Sequence, residues 1–78
     1  MLVRLRRNGA NVNAYSRRAL LGIVTNELNR GLADGEMVIK LAPEWAKGYW
    51  LVGAAHGAKG EFDKSFAAYS EAIRVDPQ

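Results

Sequence analysis

The side chain best suited to chemistry in this sequence is His56, the only histidine. It lies in the glycine-rich stretch GAAHGAKG (53–60), and histidine can act as a general base or a metal ligand near neutral pH. Either role needs partners, yet the chain has no cysteine and no Asp or Glu three or four residues from His56. The stretch also lacks the spacing of a phosphate-binding loop. We predict that His56 packs between helices, and that the chain is not an enzyme and holds no metal or other cofactor.

Positive charge is concentrated at the start of the chain. The segment 1–26 contains five arginines and no acid, whereas the remainder holds six basic and eight acidic residues. These arginines are Arg4, Arg6, Arg7, Arg17 and Arg18. Such segments occur in mitochondrial presequences and in arms that contact nucleic acid or acidic peptides, and a basic helix face that only aids solubility is the plainer interpretation. No recognised nucleic-acid motif accompanies the arginines, so nucleic-acid contact is the weakest function considered.

Residue types recur in this sequence at an interval of 34 positions, and this repeat predicts the elements that must position these side chains. KLAPEW (40–45) and RVDPQ (74–78) place Pro43 and Pro77 one such interval apart. The same shift superimposes residues of like type along the chain: Tyr15 on Tyr49, Glu27 on Glu61, Ile39 on Ile73, and Asn26 on Gly60. Asn and Gly most readily adopt the left-handed conformation that closes a helix. The sequence therefore predicts two tandem repeats, each with the same turns.

Apolar residues within each repeat recur at helical spacing. The clearest stripe is Phe62, Phe66, Tyr69 and Ile73. The pattern predicts helices at about 12–25, 29–41, 43–59 and 61–75, with Pro43 in the first turn of the third. These four helices would form two antiparallel hairpins in an all-α fold. Glycines within the first hairpin either permit a closer helix approach or mark a degenerate repeat.

The chain has 78 residues, which is enough for a single domain with a marginal core. It has no cysteine, which fits a reducing compartment and favours a cytoplasmic location. The apolar runs, such as ALLGIV (19–24), are too short to cross a bilayer. We expect no membrane partner.

Taken together, these residues resemble tetratricopeptide repeats. The resemblance divides the chain into a basic N-terminal segment (1–11) that is similar to the tail of an upstream repeat, a divergent repeat (12–44) and a nearly complete repeat (45–78). In the last of these, Tyr49 and Gly53 match the large and small residues of the first helix, and Ser65 and Tyr69 match the pattern of the second. The resemblance implies a right-handed superhelix, or α-solenoid, that binds proteins without catalysis.

Two stretches of the sequence are similar to one subset of this family, the co-chaperones that bind acidic tails of the ninety- and seventy-kilodalton heat-shock chaperones. These stretches are NAYSRRALLG (13–22) and LAPEWAKGYWLVGAAHGAKGEFDKSFAAY (41–69). That subset holds the terminal carboxylates with cations and amides on the first helices. Lys47 matches a clamp lysine, whereas Arg17 stands where the subset has asparagine and Leu51 where it has arginine. The remaining clamp residues belong to an upstream repeat. The clamp is therefore mostly not kept.

In tetratricopeptide arrays the first helices of successive hairpins line a concave surface, and the resemblance places the peptide-binding residues there. They are Asn13, Ser16, Arg17, Leu20, Lys47, Trp50 and Ala54. The predicted function is a protein-interaction module whose partner is a protein or peptide, such as an acidic chaperone tail. The alternative is a structural role, in which uncapped repeat faces make a homo-oligomer or part of a larger array.

Overall fold

The computed structural model describes the backbone of residues 2–77 and the side chains of residues 11–77. It contains four α-helices: α1 (Leu2–Val24), α2 (Leu28–Leu41), α3 (Ala46–Ala58) and α4 (Phe62–Val75). This part of the chain has no strand and no helix that is long and apolar enough to cross a membrane. The helices form two hairpins, α1 with α2 and α3 with α4, and between the hairpins α3 packs mainly against α2 and also touches α1. The all-α, four-helix prediction is confirmed.

Helix α1 begins earlier than predicted, since its backbone is helical from Leu2 rather than from about residue 12. The backbone of the basic segment therefore continues α1 without a break from residue 2 onward. The side chains of Arg4, Arg6 and Arg7 lie outside the described residues. The division into repeats at 12–44 and 45–78 remains a prediction.

Both hairpins turn in the same way, at the two positions that the repeat predicted. Asn26 has a φ of 66° and Gly60 a φ of 81°, both in the left-handed region. In each turn the following amide donates back to a carbonyl five residues earlier: Glu27 N to Gly22 O at 2.6 Å and Glu61 N to His56 O at 2.8 Å. This is the Schellman pattern, which satisfies carbonyls at the end of a helix. The prediction of left-handed closure at both sites is confirmed.

Pro43 does not begin helix α3, contrary to the sequence-based expectation. Pro43 and Glu44 form a turn, and the helix begins at Ala46 after Trp45. The amide of Trp45 donates to the carbonyl of Ala42 at 3.0 Å, and the Tyr49 hydroxyl donates to the carbonyl of Pro43 at 2.9 Å. The turn is thus held by a side chain one helical turn inside α3. The fixed φ of proline serves the turn rather than the first helical residue.

Glycines bring α1 and α2 together closely in the first hairpin. A Cβ at Gly22 would lie 2.9 Å from the Gly31 amide nitrogen, and a Cβ at Gly31 would lie 3.0 Å from the Ala19 carbonyl oxygen. Real Cβ atoms do not tolerate such distances without movement of the backbone. Of the two interpretations left open by the sequence, close approach is the one that this geometry supports.

The core runs continuously from the first hairpin into the second. A buried cluster joins Val12 and Ala19 of α1, Val38 of α2 and Leu51 of α3. Helix α3 therefore lies in the crevice between α1 and α2 and covers the face of α1 that carries Val12. This placement decides which of the repeated positions stay accessible.

Candidate peptide-binding groove

An open groove of about 520 Å³ lies between the N-terminal half of α3 and the C-terminal end of α4. Its walls are mostly apolar or aromatic, with one cationic and one anionic side chain. The lining residues are Trp45, Ala46, Lys47, Trp50, Leu51, Ala54, Tyr69 and Asp76. Binding sites of this composition take the apolar part of a ligand and orient it with a few polar groups.

Trp50 forms the aromatic wall of the groove. Its ring centroid is 4.8 Å from that of Tyr69, with the planes tilted by 50°, and the residue remains 47% exposed. Gly53 makes this arrangement possible, because a Cβ there would lie only 2.8 Å from the Tyr69 ring. The two rings are therefore held against each other across α3 and α4 while Trp50 keeps about half its surface open to a ligand.

The mouth of the groove is formed by Trp45 and Lys47. Trp45 is 37% exposed and immediately precedes α3, where the Tyr49–Pro43 hydrogen bond fixes the turn. Lys47 is exposed in the first turn of the helix and makes no ion pair within the described part of the chain. A cation next to two indole rings suits a ligand that carries both an apolar side chain and a carboxylate.

The residues predicted for the site do not all lie together. Lys47, Trp50 and Ala54 line the groove, and among residues 11–24 of α1 none does so. Asn13, Arg17 and Leu20 are exposed on α1 outside the groove.

Ser16 requires a correction, because it is only 4% exposed and its side chain is not available to a ligand. It is the counterpart of Trp50 in the preceding repeat. Ser16 lies one helical turn after Val12, on the face of α1 against which α3 packs. Equivalent positions in the two repeats thus have opposite exposure.

Sequence reasoning missed five residues of the groove: Trp45, Ala46, Leu51, Tyr69 and Asp76. Tyr69 was assigned to the apolar stripe of the last helix, and Leu51 was considered only as a replaced clamp residue. Leu51 is 5% exposed and contributes to the groove floor and the core together. Trp45 could have been identified from the sequence, because it stands between a turn proline and a helix and therefore lies at the end of that helix.

Arg18 has a partner within the chain that the sequence did not reveal. Its Nε and Nη2 donate to the two carboxylate oxygens of Asp34, each at 3.0 Å. The hydrogen bond to Asp34, followed by the attraction of its charge, raises the pKa of Arg18. Arg18 therefore joins α1 to α2, and Arg17 is left as the exposed, unpaired arginine of that pair.

His56 packs as predicted, with a side chain only 12% exposed, but it also has an acidic partner. Its Nδ1 lies 2.7 Å from Glu61 Oε1, five residues along the chain. The hydrogen bond to His56 lowers the pKa of Glu61, and the nearby positive charge of Lys59 adds to this effect. The Schellman turn brings His56 and Glu61 together. A search for acidic residues three or four positions from His56 does not find this partner, because Glu61 is five positions away. Within residues 11–77 no group of three His, Cys, Asp or Glu side chains could hold a metal.

Comparison with known proteins gives a consistent set of relatives. The chain is 38% identical over 68 residues to the Hsp70-Hsp90 organizing protein of Triticum aestivum, covering 87% of this chain and 12% of that protein. It is 38% identical over 74 residues to Hsp70-Hsp90 organizing protein 3 of Arabidopsis thaliana, covering 95% and 13%. It is 32% identical over 62 residues to heat shock protein STI1 of Saccharomyces cerevisiae, covering 80% and 10%.

The chain thus spans only about an eighth of the length of the relatives named first. No protein-family model matches it. No solved structure matches it either.

Proposed function

Because the chain resembles tetratricopeptide repeats and is similar to part of the Hsp70-Hsp90 organizing proteins, we propose that it is a non-catalytic module that binds a protein partner. The names of those relatives describe proteins that organise two chaperones. The proposed ligand is accordingly the acidic C-terminal tail of a heat-shock chaperone, bound in the cytoplasm. The groove beside Lys47 and Trp50 is the proposed site.

The observation that carries this proposal is the proximity of an unpaired cation to an exposed indole. Lys47 and Trp50 lie one turn apart on α3 and line the same groove of about 520 Å³. The Lys47 ammonium group would hold a carboxylate of the tail, and the Trp50 ring would contact a neighbouring aliphatic side chain.

Because most of the clamp residues are not kept, we expect this chain to bind the terminal carboxylate differently from the co-chaperone subset. Leu51 occupies the place of a clamp arginine and is buried, so among residues 11–77 Lys47 is the one cation that lines the groove and can hold the terminal carboxylate. Arg17 is on α1 and does not reach the groove lining. We therefore propose weaker carboxylate recognition than a full clamp provides, with a larger share of the affinity coming from apolar contact with Trp50 and Trp45.

The test is calorimetric titration with a short acidic peptide that ends in a free carboxylate, alongside the same peptide with an amidated end. Loss of one charge-assisted hydrogen bond should weaken binding by roughly tenfold. Lys47→Ala should weaken the free-acid peptide to the level of the amidated one. Lys40→Ala is the matched control, because Lys40 is exposed on α2 and outside the groove. Equal affinity for both peptides would remove the carboxylate from the mechanism.

A further inference from the structure

Two apolar stripes are exposed at opposite ends of the helix stack. On α4, Phe62, Phe66 and Ile73 are 71%, 74% and 55% exposed, and half-buried Tyr69 lies among them. On α1, Leu21 and Val24 are 59% and 69% exposed. Contiguous large apolar side chains of this kind are unusual on the surface of a soluble protein and often mark an interface.

The chain already contains one interface of the required type, where α3 packs against α2. A Cβ at Gly48 would lie 2.8 Å from Ile39 Cγ1, and a Cβ at Gly35 would lie 3.1 Å from Val52 Cγ2. At the far end, Lys59 Nζ donates to Asn29 Oδ1 at 2.8 Å. These three contacts define an antiparallel alignment, since residue numbers rise along α3 while they fall along α2.

A shift by one repeat interval converts this internal interface into the two exposed stripes. The receiving positions of α2 are 28, 32, 35 and 39, and they become Phe62, Phe66, Tyr69 and Ile73 of α4. The inserting positions of α3 are 48, 51, 55 and 58, and they become Ala14, Arg17, Leu21 and Val24 of α1. The stripe of α2 is half-buried or buried under α3, whereas the stripe of α4 is open apart from Tyr69.

We infer that α1 of a second copy packs antiparallel against α4 of the first, so that the chain associates head to tail. The repeat register places Ala14 opposite Ile73, Arg17 opposite Tyr69 and Leu21 opposite Phe66. Val24 lies opposite Phe62 in the same alignment. Each stripe is thereby covered by a stripe of matching length.

The side chains fit if the two helix axes lie farther apart than those of α2 and α3. Where α3 packs against α2, Gly48 and Gly35 allow the two helices to approach closely. At the equivalent places in the contact between copies, Ala14 replaces Gly48 and Tyr69 replaces Gly35. Larger side chains on both partners widen the spacing evenly and keep the surfaces in contact. The contact between copies is therefore less closely packed than the contact between α3 and α2, and we expect its affinity to be low.

Charge favours the same arrangement. The segment 1–26 carries five arginines and no acid, while the rest of the chain has six basic and eight acidic residues. Head-to-tail packing brings the basic end of one copy to the more acidic end of the next. Arg17 can lie over the Tyr69 ring, as Arg18 already lies over the Tyr15 ring with its guanidinium carbon 5.6 Å from the centroid.

This contact is heterologous, since it joins two different surfaces, and each added copy exposes a fresh α4 stripe. Association of this kind continues into rings or open rows rather than stopping at a dimer. Tyr69 belongs to both this contact and the groove, but neither Lys47 nor Trp50 takes part in the contact, so association and peptide binding can be tested with different variants.

The test uses one charged substitution in each stripe. Leu21→Glu disables the inserting face and Phe66→Glu disables the receiving face, and both residues are more than half exposed, so the fold should be kept. Ala67→Glu is the matched control, because Ala67 is exposed on another face of α4. Masses are measured by sedimentation or light scattering over a wide range of concentration, and circular dichroism verifies helicity.

The expected result is a mass for the unaltered chain and for Ala67→Glu that rises above the 8.6 kDa of one copy as concentration increases. Each stripe variant alone should remain monomeric. An equimolar mixture of Leu21→Glu and Phe66→Glu should form a heterodimer and grow no further, because it contains one intact pair of faces. A monomeric unaltered chain at every concentration would overturn the inference. A mixture that stays monomeric would also overturn it, as would stripe variants that associate like the control. If the unaltered chain is monomeric, the α4 stripe is left for a different partner.

Discussion

Arg18 and Asp34 join the two helices of the first hairpin through a pair of hydrogen bonds, each 3.0 Å long, between the guanidinium group and both carboxylate oxygens. The Asp34 side chain is only 7% exposed, whereas that of Arg18 is 56% exposed. In the second repeat the two equivalent positions hold Val52 and Ala68. The first hairpin therefore has an ion pair where the second has two apolar residues.

Replacing Arg18 with Val should destabilise the protein more than replacing Asp34 with Ala. Arg18→Val leaves a carboxylate buried without a partner, while Asp34→Ala leaves a guanidinium that can turn to water. The melting temperature of Arg18→Val should fall by roughly 5 °C or more. The double variant Arg18→Val/Asp34→Ala reproduces the residues of the second hairpin and should recover most of the loss. Additive effects of the two single changes would show that the pair is not coupled.

Truncation of Trp50 should weaken ligand binding without unfolding the chain. Trp50→Ala removes a ring that is 47% exposed and lines the groove, so the peptide loses its largest apolar contact. We expect the affinity for the acidic peptide to fall by roughly tenfold to thirtyfold. Leu20→Ala is the control, because Leu20 is 50% exposed but lies on α1 outside the groove. Equal affinities of the two variants would place the ligand elsewhere.

The His56–Glu61 contact should make stability depend on pH in the acid range. The pKa of Glu61 is lowered in the folded chain by the hydrogen bond to His56 and by Lys59. A carboxyl group with a lowered folded pKa contributes stability above its unfolded pKa, and this contribution is lost as the pH falls through the folded value. Glu61→Gln should therefore flatten the decline in melting temperature below about pH 5.

Melting curves recorded at successive pH values test this expectation. Glu36→Gln is the control, because Glu36 is exposed on α2 and outside the His56 contact. Glu71 contributes to the decline in both variants, since its own pKa is lowered by Arg74. If Glu61→Gln and Glu36→Gln lost stability in parallel at low pH, the contact would have no effect on folding.

Gly60 should tolerate substitution poorly for a purely conformational reason. Its φ is 81°, and a Cβ there would meet nothing within 4 Å, so there is space but an unfavourable backbone angle. Gly60→Ala should cost about 1 kcal/mol of unfolding free energy in urea titration. Gly60→Asn should cost less, because Asn26 already adopts the same region with a φ of 66°. A larger loss with Asn than with Ala would contradict this explanation.

The hairpins and their turns could be predicted because the signals for them are local. Asn26 and Gly60 close their helices in the left-handed conformation that their residue types favour, and the apolar spacing located four helices. The helix ends were less predictable. Pro43 was assigned to the start of α3, yet it belongs to a turn that a hydroxyl of Tyr49 stabilises.

The candidate site was predicted only in part, since exposure at a repeated position depends on the neighbouring helix. Lys47, Trp50 and Ala54 come together in the groove, but their counterparts on α1 do not join them. Side-chain contacts between the two helices of a hairpin were equally invisible in the pattern. The ion pair of Arg18 with Asp34 joins residues sixteen positions apart.

The sequence by itself determined the repeat length, the number of helices and the residues at which the chain reverses, because these depend on side-chain type and on contacts within a few residues. Tertiary structure alone decided that Ser16 is 4% exposed and Trp50 47% exposed. The two residues occupy equivalent places in their repeats, but Ser16 is buried on the face of α1 that carries Val12 and Ala19, whereas Trp50 contacts only part of its surface with Tyr69 and lines an open groove. Burial is a property of what packs against a position, and a helical pattern specifies a face without specifying its neighbour.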